Sequence, residues 1–124
     1  TAGDVRTFSE LFQHNDTFAY DAEAFRAHVT DEPRAAELLT AWADATSRLD
    51  APFIAANIRA RFEQFLAEKN IRAADFVHTL RVALTGKATG FGLDETQEVL
   101  SRDWCVARIR RAVKASRLYL PVAL

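Results

Sequence analysis

One cysteine, four glycines and three prolines are spread over 124 residues, and each scarcity closes off a class of function. A lone Cys105 cannot form an internal disulfide. With only His14, His28 and His78 beside it, scattered along the chain, there is no set of ligands at metal-binding spacing, and neither zinc nor a redox role is expected. No apolar run approaches the roughly 20 residues needed to cross a bilayer. The start of the chain lacks the charged-then-apolar pattern of a signal peptide, so the expectation is a cytoplasmic protein with no membrane partner. Strand chemistry is missing too, since no Asn-Gly or Asp-Gly hairpin signal occurs and no stretch alternates at period two for long. Catalytic constellations are equally scarce. There is no GxSxG elbow and no HExxH pair, and Thr85-Gly86-Lys87 has the wrong order for a phosphate loop, with no strand before it. A small helical enzyme is therefore the least favoured class.

What is present is a helix-rich, core-forming chain. Hydrophobic residues make up 49% and charged residues 27%, and nine Phe with two Trp provide the bulk of a core. Trp42 and Trp104 are read as core residues, and His78 as a helix-surface residue. Apolar positions recur at helical spacing. Asp21 starts one helix that carries Phe25 and Val29. Thr30-Asp31-Glu32-Pro33 opens the next, striped by Leu38, Leu39, Trp42, Ala45, Thr46 and Leu49. Asp50-Ala51-Pro52 opens a third, with Ile54, Ile58, Phe62, Phe65 and Leu66 inward and Arg59 paired with Glu63 four residues on. Phe76, Leu80 and Leu84 stripe a fourth, Val99 and Leu100 point inward from a fifth, and Ser101 caps a last basic helix in which Trp104, Ala107 or Arg108, Ile109 and Val113 alternate with Arg110, Arg111 and Lys114. A short helix around Ser9, with Phe8, Leu11 and Phe12, precedes these, and an apolar tail from Leu118 to Val122 follows. The expected fold class is all-α, a compact multi-helix domain of six or seven short helices over residues 1–124. Its N-terminal helices, residues 1–50, bridge to an upstream part of a longer protein, residues 51–124 form the core, and any hinge lies near Asp50.

Charge is unevenly placed along the chain. Residues 1–70 hold seven Lys/Arg against twelve Asp/Glu, whereas residues 71–124 hold nine against five. A basic half in a nearly neutral chain suits a surface that meets a polyanion. Charge alone is equally compatible with ordinary surface variation.

The most informative stretch runs from Leu80 to Leu93, LRVALTGKATGFGL, and carries three of the four glycines. Arg81 lies about 100° round from Leu80, on the edge of the apolar stripe, where its stem can rest on the core and its head stay in solvent. Gly86 ends the helix, because glycine takes the left-handed conformation without a Cβ penalty. Gly86, Gly90 and Gly92 leave the backbone free to approach something closely before the next helix starts at Leu93.

Residues 80–113 resemble the C-terminal anticodon-binding domain of bacterial glutamyl-tRNA synthetases. The resemblance is carried by the Leu-Arg-x-Ala-Leu-Thr-Gly segment from Leu80 to Gly86, the Gly-Leu helix start within Gly90 to Leu93, and the Ala-Arg-Ile-x-Arg-Ala helix from Ala107 to Ala112. Phe91 stands where that family has proline, and Asp94 where it has an aromatic or apolar residue. The resemblance implies recognition of the anticodon loop of tRNA-Glu by a monomeric, non-catalytic domain of a glutamate-tRNA ligase. The two short nucleotide-binding signatures of class I synthetases are absent, so ATP and magnesium are expected in the longer enzyme and no cofactor in this chain. Carried over by position, Arg81, Gly90 and Leu93 contact the first two anticodon bases. The family's polar side chain is missing at Gly90, leaving a backbone contact with Thr89 as its substitute, while Phe91 stacks on a base and Lys87 meets a phosphate. The third base is read largely by the preceding domain in that family, so discrimination between tRNA-Glu and tRNA-Gln is not implied.

Each of these residues also has a plainer reading. Arg81 can snorkel from a core helix, Phe91 can anchor its loop in the core, and Arg110, Arg111 and Lys114 can form a solvated helix face. A module of this descent that lost RNA binding and kept a protein-interaction surface is the alternative from a different class.

Overall fold

A computed structural model describes residues 18–90 and 92–118. Within them the chain is all-α, six helices without a strand, and the order follows the local chemistry of the sequence. Helix α1 (Ala22–Phe25) starts from an extended Asp21 and runs into a π-helical turn, Arg26–Thr30, closed by a 2.8 Å bond from Asp31 N–H to Arg26 O. The extra residue of that turn leaves Phe25 and Val29 both buried. Helix α2 (Ala35–Ser47) begins two residues after Pro33. Helix α3 (Ala55–Lys69) ends at Asn70, whose φ of 54° is a left-handed conformation that asparagine tolerates better than most residues. A 3₁₀ turn, Ala73–Asp75, leads into α4 (Val77–Thr85), and Asp75 caps its own turn by accepting from Arg72 N–H at 2.9 Å. Helices α5 (Leu93–Leu100) and α6 (Arg102–Leu118) follow, separated only by Ser101 at φ 80°.

The core joins both halves of the sequence. Trp42 of α2 meets Phe62 and Phe65 of α3 edge-on at 5.2 Å, and Phe76, leading into α4, lies 6.1 and 5.7 Å from those two rings. Full burial of each such side chain contributes about 1.5–3 kcal/mol. Leu39, Leu80, Leu84 and Ile109 are wholly buried around them, and α6 packs along α2 and against α4. One polar thread crosses this core. Gln97 Oε1 accepts from Trp42 Nε1 at 2.9 Å while Gln97 Nε2 donates to Leu93 O at 3.3 Å, so a fully buried amide ties α2 to the first residue of α5. The link between α2 and α3 is tied as well: Arg102 Nη2 donates to Ala51 O at 3.0 Å, and Glu98 Oε1 accepts from Ala55 N–H at 2.6 Å.

Several sequence expectations need correction. Ile54 is 47% exposed, because α3 begins one residue later and leaves it outside the stripe. Val99 is 39% exposed, since the inward positions of α5 are Thr96, Gln97 and Leu100, three and four apart. Trp104 is only half-buried against the core. Arg59 does not pair with Glu63; its Nε donates to Asp94 Oδ2 across the α3–α5 groove at 2.8 Å. Arg111 is half-buried rather than solvated. The helix expected around Ser9, the role given to Phe91 and the apolar tail beyond Leu118 lie outside the described residues.

Candidate nucleic-acid interface

The edge formed by the end of α4, the loop 86–92 and the start of α5 collects the residues singled out from sequence. Helix α4 stops because Gly86 turns left-handed at φ 83°, with its N–H donating to Val82 O at 2.7 Å. That glycine is required twice. A Cβ there would run into the carbonyl of Ala19 and press on Tyr20 Cα at 3.3 Å, and Gly86 O accepts from Asp21 N–H at 2.8 Å. What approaches Gly86 so closely is therefore this chain's own backbone. Gly90 is the opposite case, at φ 152° with open space around the position of a Cβ.

Between the two, Thr85 organises the first turn of the loop. Its hydroxyl donates to Arg81 O at 2.9 Å, lies 3.2 Å from Lys87 O and can accept from Lys87 N–H at 3.3 Å. Ala88 packs partly on the core, with its carbonyl 3.3 Å from His78 Nδ1. Lys87, Thr89 and Gly90 remain exposed, Arg81 is half-buried on the last full turn of α4, and Leu93 packs partly on the core as the first residue of α5. The structure thus places Arg81, Lys87, Thr89, Gly90 and Leu93 along one edge. It also shows that Leu93 is held from beneath by Gln97.

A second arginine of the sequence motif has a different environment. Arg108 is wholly buried, its Nη1 donates to Leu84 O at 2.7 Å, and its guanidinium lies 4.4 Å from the Phe18 ring centroid and 5.6 Å from that of Trp104. It satisfies a carbonyl at the end of α4 that the helix cannot satisfy itself. Burial pulls its pKa below the ordinary arginine value, yet a guanidinium remains charged. Arg111, one turn on, sits 4.4 Å from Phe18 and 4.5 Å from Tyr20, so three aromatic rings take up two cations. The Tyr20 hydroxyl is pushed up to about 12 by burial, against the opposing pull of Arg111 and Arg108. Sequence reasoning missed Gln97 as an anchor and left open whether Ala107 or Arg108 faces inward on α6, and the structure buries Arg108. The available signal was helical phase, which sets Arg108 between Cys105 and Ala112 on the buried face of α6.

Electrostatically, the α5 side of the loop is mixed. Asp94 and Glu95 occupy the first turn of α5, where carboxylates suit the helix dipole. The Asp94 hydrogen bond raises the pKa of Arg59 above its ordinary value. Among the described residues no cluster of His, Cys, Asp and Glu could hold a metal ion, and no helix is long and apolar enough to cross a membrane. Chemically the edge can recognise and hold: it offers a planar guanidinium, an exposed loop backbone and a lysine.

A rigid helical frame presenting a short basic loop defines a recognition domain. The chain belongs to the anticodon binding domain family, whose model matches residues 2–113. Among curated relatives it is 32% identical to the glutamate–tRNA ligase of Desulforudis audaxviator over 114 residues, 91% of this chain and 22% of that protein. It is 34% identical to the glutamate–tRNA ligase of Geobacter sulfurreducens over 105 residues, 83% of this chain and 22% of that protein. With glutamate–tRNA ligase 1 of Syntrophomonas wolfei the identity is 32% over 94 residues, 76% and 19% respectively. The chain thus spans about a fifth of the length of the curated relatives it matches. No solved structure matches it significantly.

Proposed function

We propose that this chain reads the anticodon loop of tRNA-Glu as the anticodon-binding part of a glutamate–tRNA ligase. The observation that carries the reading is the edge itself: Arg81 at the end of α4, the exposed backbone from Lys87 to Gly90 and the start of α5 at Leu93 follow one another along a helix–loop–helix segment of an anticodon binding domain. Arg81 and Leu93 meet the first two anticodon bases, Gly90 offers its backbone with Thr89 beside it, Phe91 stacks on a base, and Lys87 takes a phosphate. Residues 51–124 supply this reading surface and residues 1–50 the approach from the rest of the enzyme. The domain acts as a monomer in the cytoplasm. ATP and magnesium serve the ligation step in the catalytic part of such an enzyme, and no residue of this chain is assigned to them. Anticodon binding here supplies positioning energy, so correct contacts at this edge raise the rate of charging at a distant site.

The test is titration of labelled tRNA-Glu anticodon stem-loop, beside a stem-loop with its first two anticodon bases changed, at low and moderate salt. Preference for the cognate loop is expected, and Arg81→Ala should lower cognate binding about tenfold or more while Lys114→Ala leaves the preference intact. Arg81→Ala should shift Tm by no more than about 2 °C. A variant that melts several degrees lower would make Arg81 structural and end that assignment. Equal, salt-sensitive binding to both loops would reduce the edge to a generic basic surface.

A second reading, a protein-interaction module of the same descent, is favoured by one observation: Ile54 and Val99, the exposed large hydrophobic side chains among the described residues, neighbour in sequence the two residues of the Ala55–Glu98 hydrogen bond. Absence of any stem-loop binding at low salt would favour it.

A further inference from the structure

Resting on the anticodon reading, a difficulty arises at the start of α5. Leu93 is the last residue assigned to a base, yet the next two residues are Asp94 and Glu95, and two carboxylates there would repel an incoming phosphate chain. The structure places a cation on the spot that offsets one of the two charges. Arg59, from the middle of α3, reaches across the groove so that its Nε donates to Asp94 Oδ2 at 2.8 Å, with Nη2 3.9 Å from Glu95 Oε1. The Asp94 side chain is only 19% exposed under this contact, whereas that of Arg59 remains 59% exposed.

A guanidinium carries five N–H donors, and the bond to Asp94 uses one. Its plane is set by that bond, so part of the entropy that an arginine normally loses on gripping a phosphate is already lost. We propose that Arg59 is a further RNA contact of this domain: pinned through Nε by Asp94, it donates from its remaining amino groups to a backbone phosphate of the anticodon loop, next to the base held at Leu93. Asp94 is then the positioning residue for Arg59. A phosphate contact carries no base information, so Arg59 adds affinity without adding preference.

The test is a double-mutant cycle in the 124-residue chain, titrating the cognate and base-changed stem-loops with wild type, Arg59→Ala, Asp94→Asn and the double variant across a salt series. Arg61→Ala serves as control, since Arg61 sits on the same helix and faces Glu68 at 3.4 Å. Arg59→Ala should weaken both loops equally, by about three- to tenfold, and flatten the slope of log K against log salt by about 0.7. The decisive arm is the double variant. If Arg59 touches RNA, removing it still weakens binding when Asp94 is already neutral. If the double variant binds as tightly as Asp94→Asn alone, Arg59 only screens the carboxylate and the proposal falls. It falls equally if Arg59→Ala binds like wild type or if Arg61→Ala does the same damage. Should wild type itself show no cognate preference, the anticodon reading fails first, and that failure shows in the wild-type curve without reference to any variant.

Discussion

The two ends of the loop between α4 and α5 differ in what holds them. At Gly86 the backbone is clamped: Ala19 and Tyr20 occupy the space a Cβ would need, Asp21 binds its carbonyl, and Arg108 reaches the carbonyl of Leu84 two residues earlier. At Gly90, four residues further on, nothing lies within 4 Å of where a Cβ would stand. The same residue type thus answers two demands. The first glycine serves the fold, and the second leaves a surface clear for something outside it. The fixed end sets where the open backbone beyond it can stand.

The comparison can be broken in order of expected effect. Gly86→Ala should cost the most, about 3–5 kcal/mol by chemical denaturation, since it combines left-handed strain with overlap on the Ala19 carbonyl. A loss below about 1 kcal/mol would mean the segment 18–21 gives way easily and the clamp is weak. Next, Arg108→Met leaves the Leu84 carbonyl buried without its donor and removes the stacking on Phe18, for about 2–4 kcal/mol. An unchanged denaturation midpoint would show that the end of α4 is held by α4 alone.

Alkaline pH sharpens the same end. Because the folded hydroxyl of Tyr20 titrates near 12 and a free tyrosine near 10, the folded state keeps its proton longer, so this stabilisation is complete below pH 10 and drains away between 10 and 12. After allowance for solvent screening the loss is on the order of 1–2 kcal/mol. Urea titrations at pH 9 and 11.5 should show it in wild type and not in Tyr20→Phe; equal losses in both would assign the effect to other groups. Gly90→Ala should cost about 1–2 kcal/mol, the strain of its positive φ with no overlap added, and its folding should be otherwise normal. A cost matching that of Gly86→Ala would erase the distinction between the two ends.

Much of this frame was legible from sequence because helices announce themselves by period and by their stops. The stripe of Phe76, Leu80 and Leu84, the stop at Gly86 and the new start at Leu93 all stand where pattern placed them. Arg81 is half-buried at the stripe's edge, as its 100° offset required. The failures have a common cause in partners distant along the chain. Pattern could not choose between Ala107 and Arg108 for the inward place on α6, and the choice is made by Phe18, ninety positions earlier, and Leu84, which supply a cation–π face and a carbonyl. Gln97 reads as a surface amide until Trp42 supplies an indole N–H. Arg59 had an acidic neighbour at helical spacing, and local pattern chose Glu63, whereas geometry across the groove chose Asp94. Periodicity reports which way a side chain points, and only the assembled fold reports what it meets.

The clamp at Gly86 also orders events in time. Its pieces come from the beginning of the described chain, from its middle and from Arg108 near its end. During synthesis the N-terminal segment and α4 emerge first, but the carbonyl at the end of α4 finds its buried donor only once α6 has left the ribosome. The loop between α4 and α5 is then among the last parts of the domain to be finished. A nascent chain halted before Arg108 would carry that loop without the donor that fixes the end of α4.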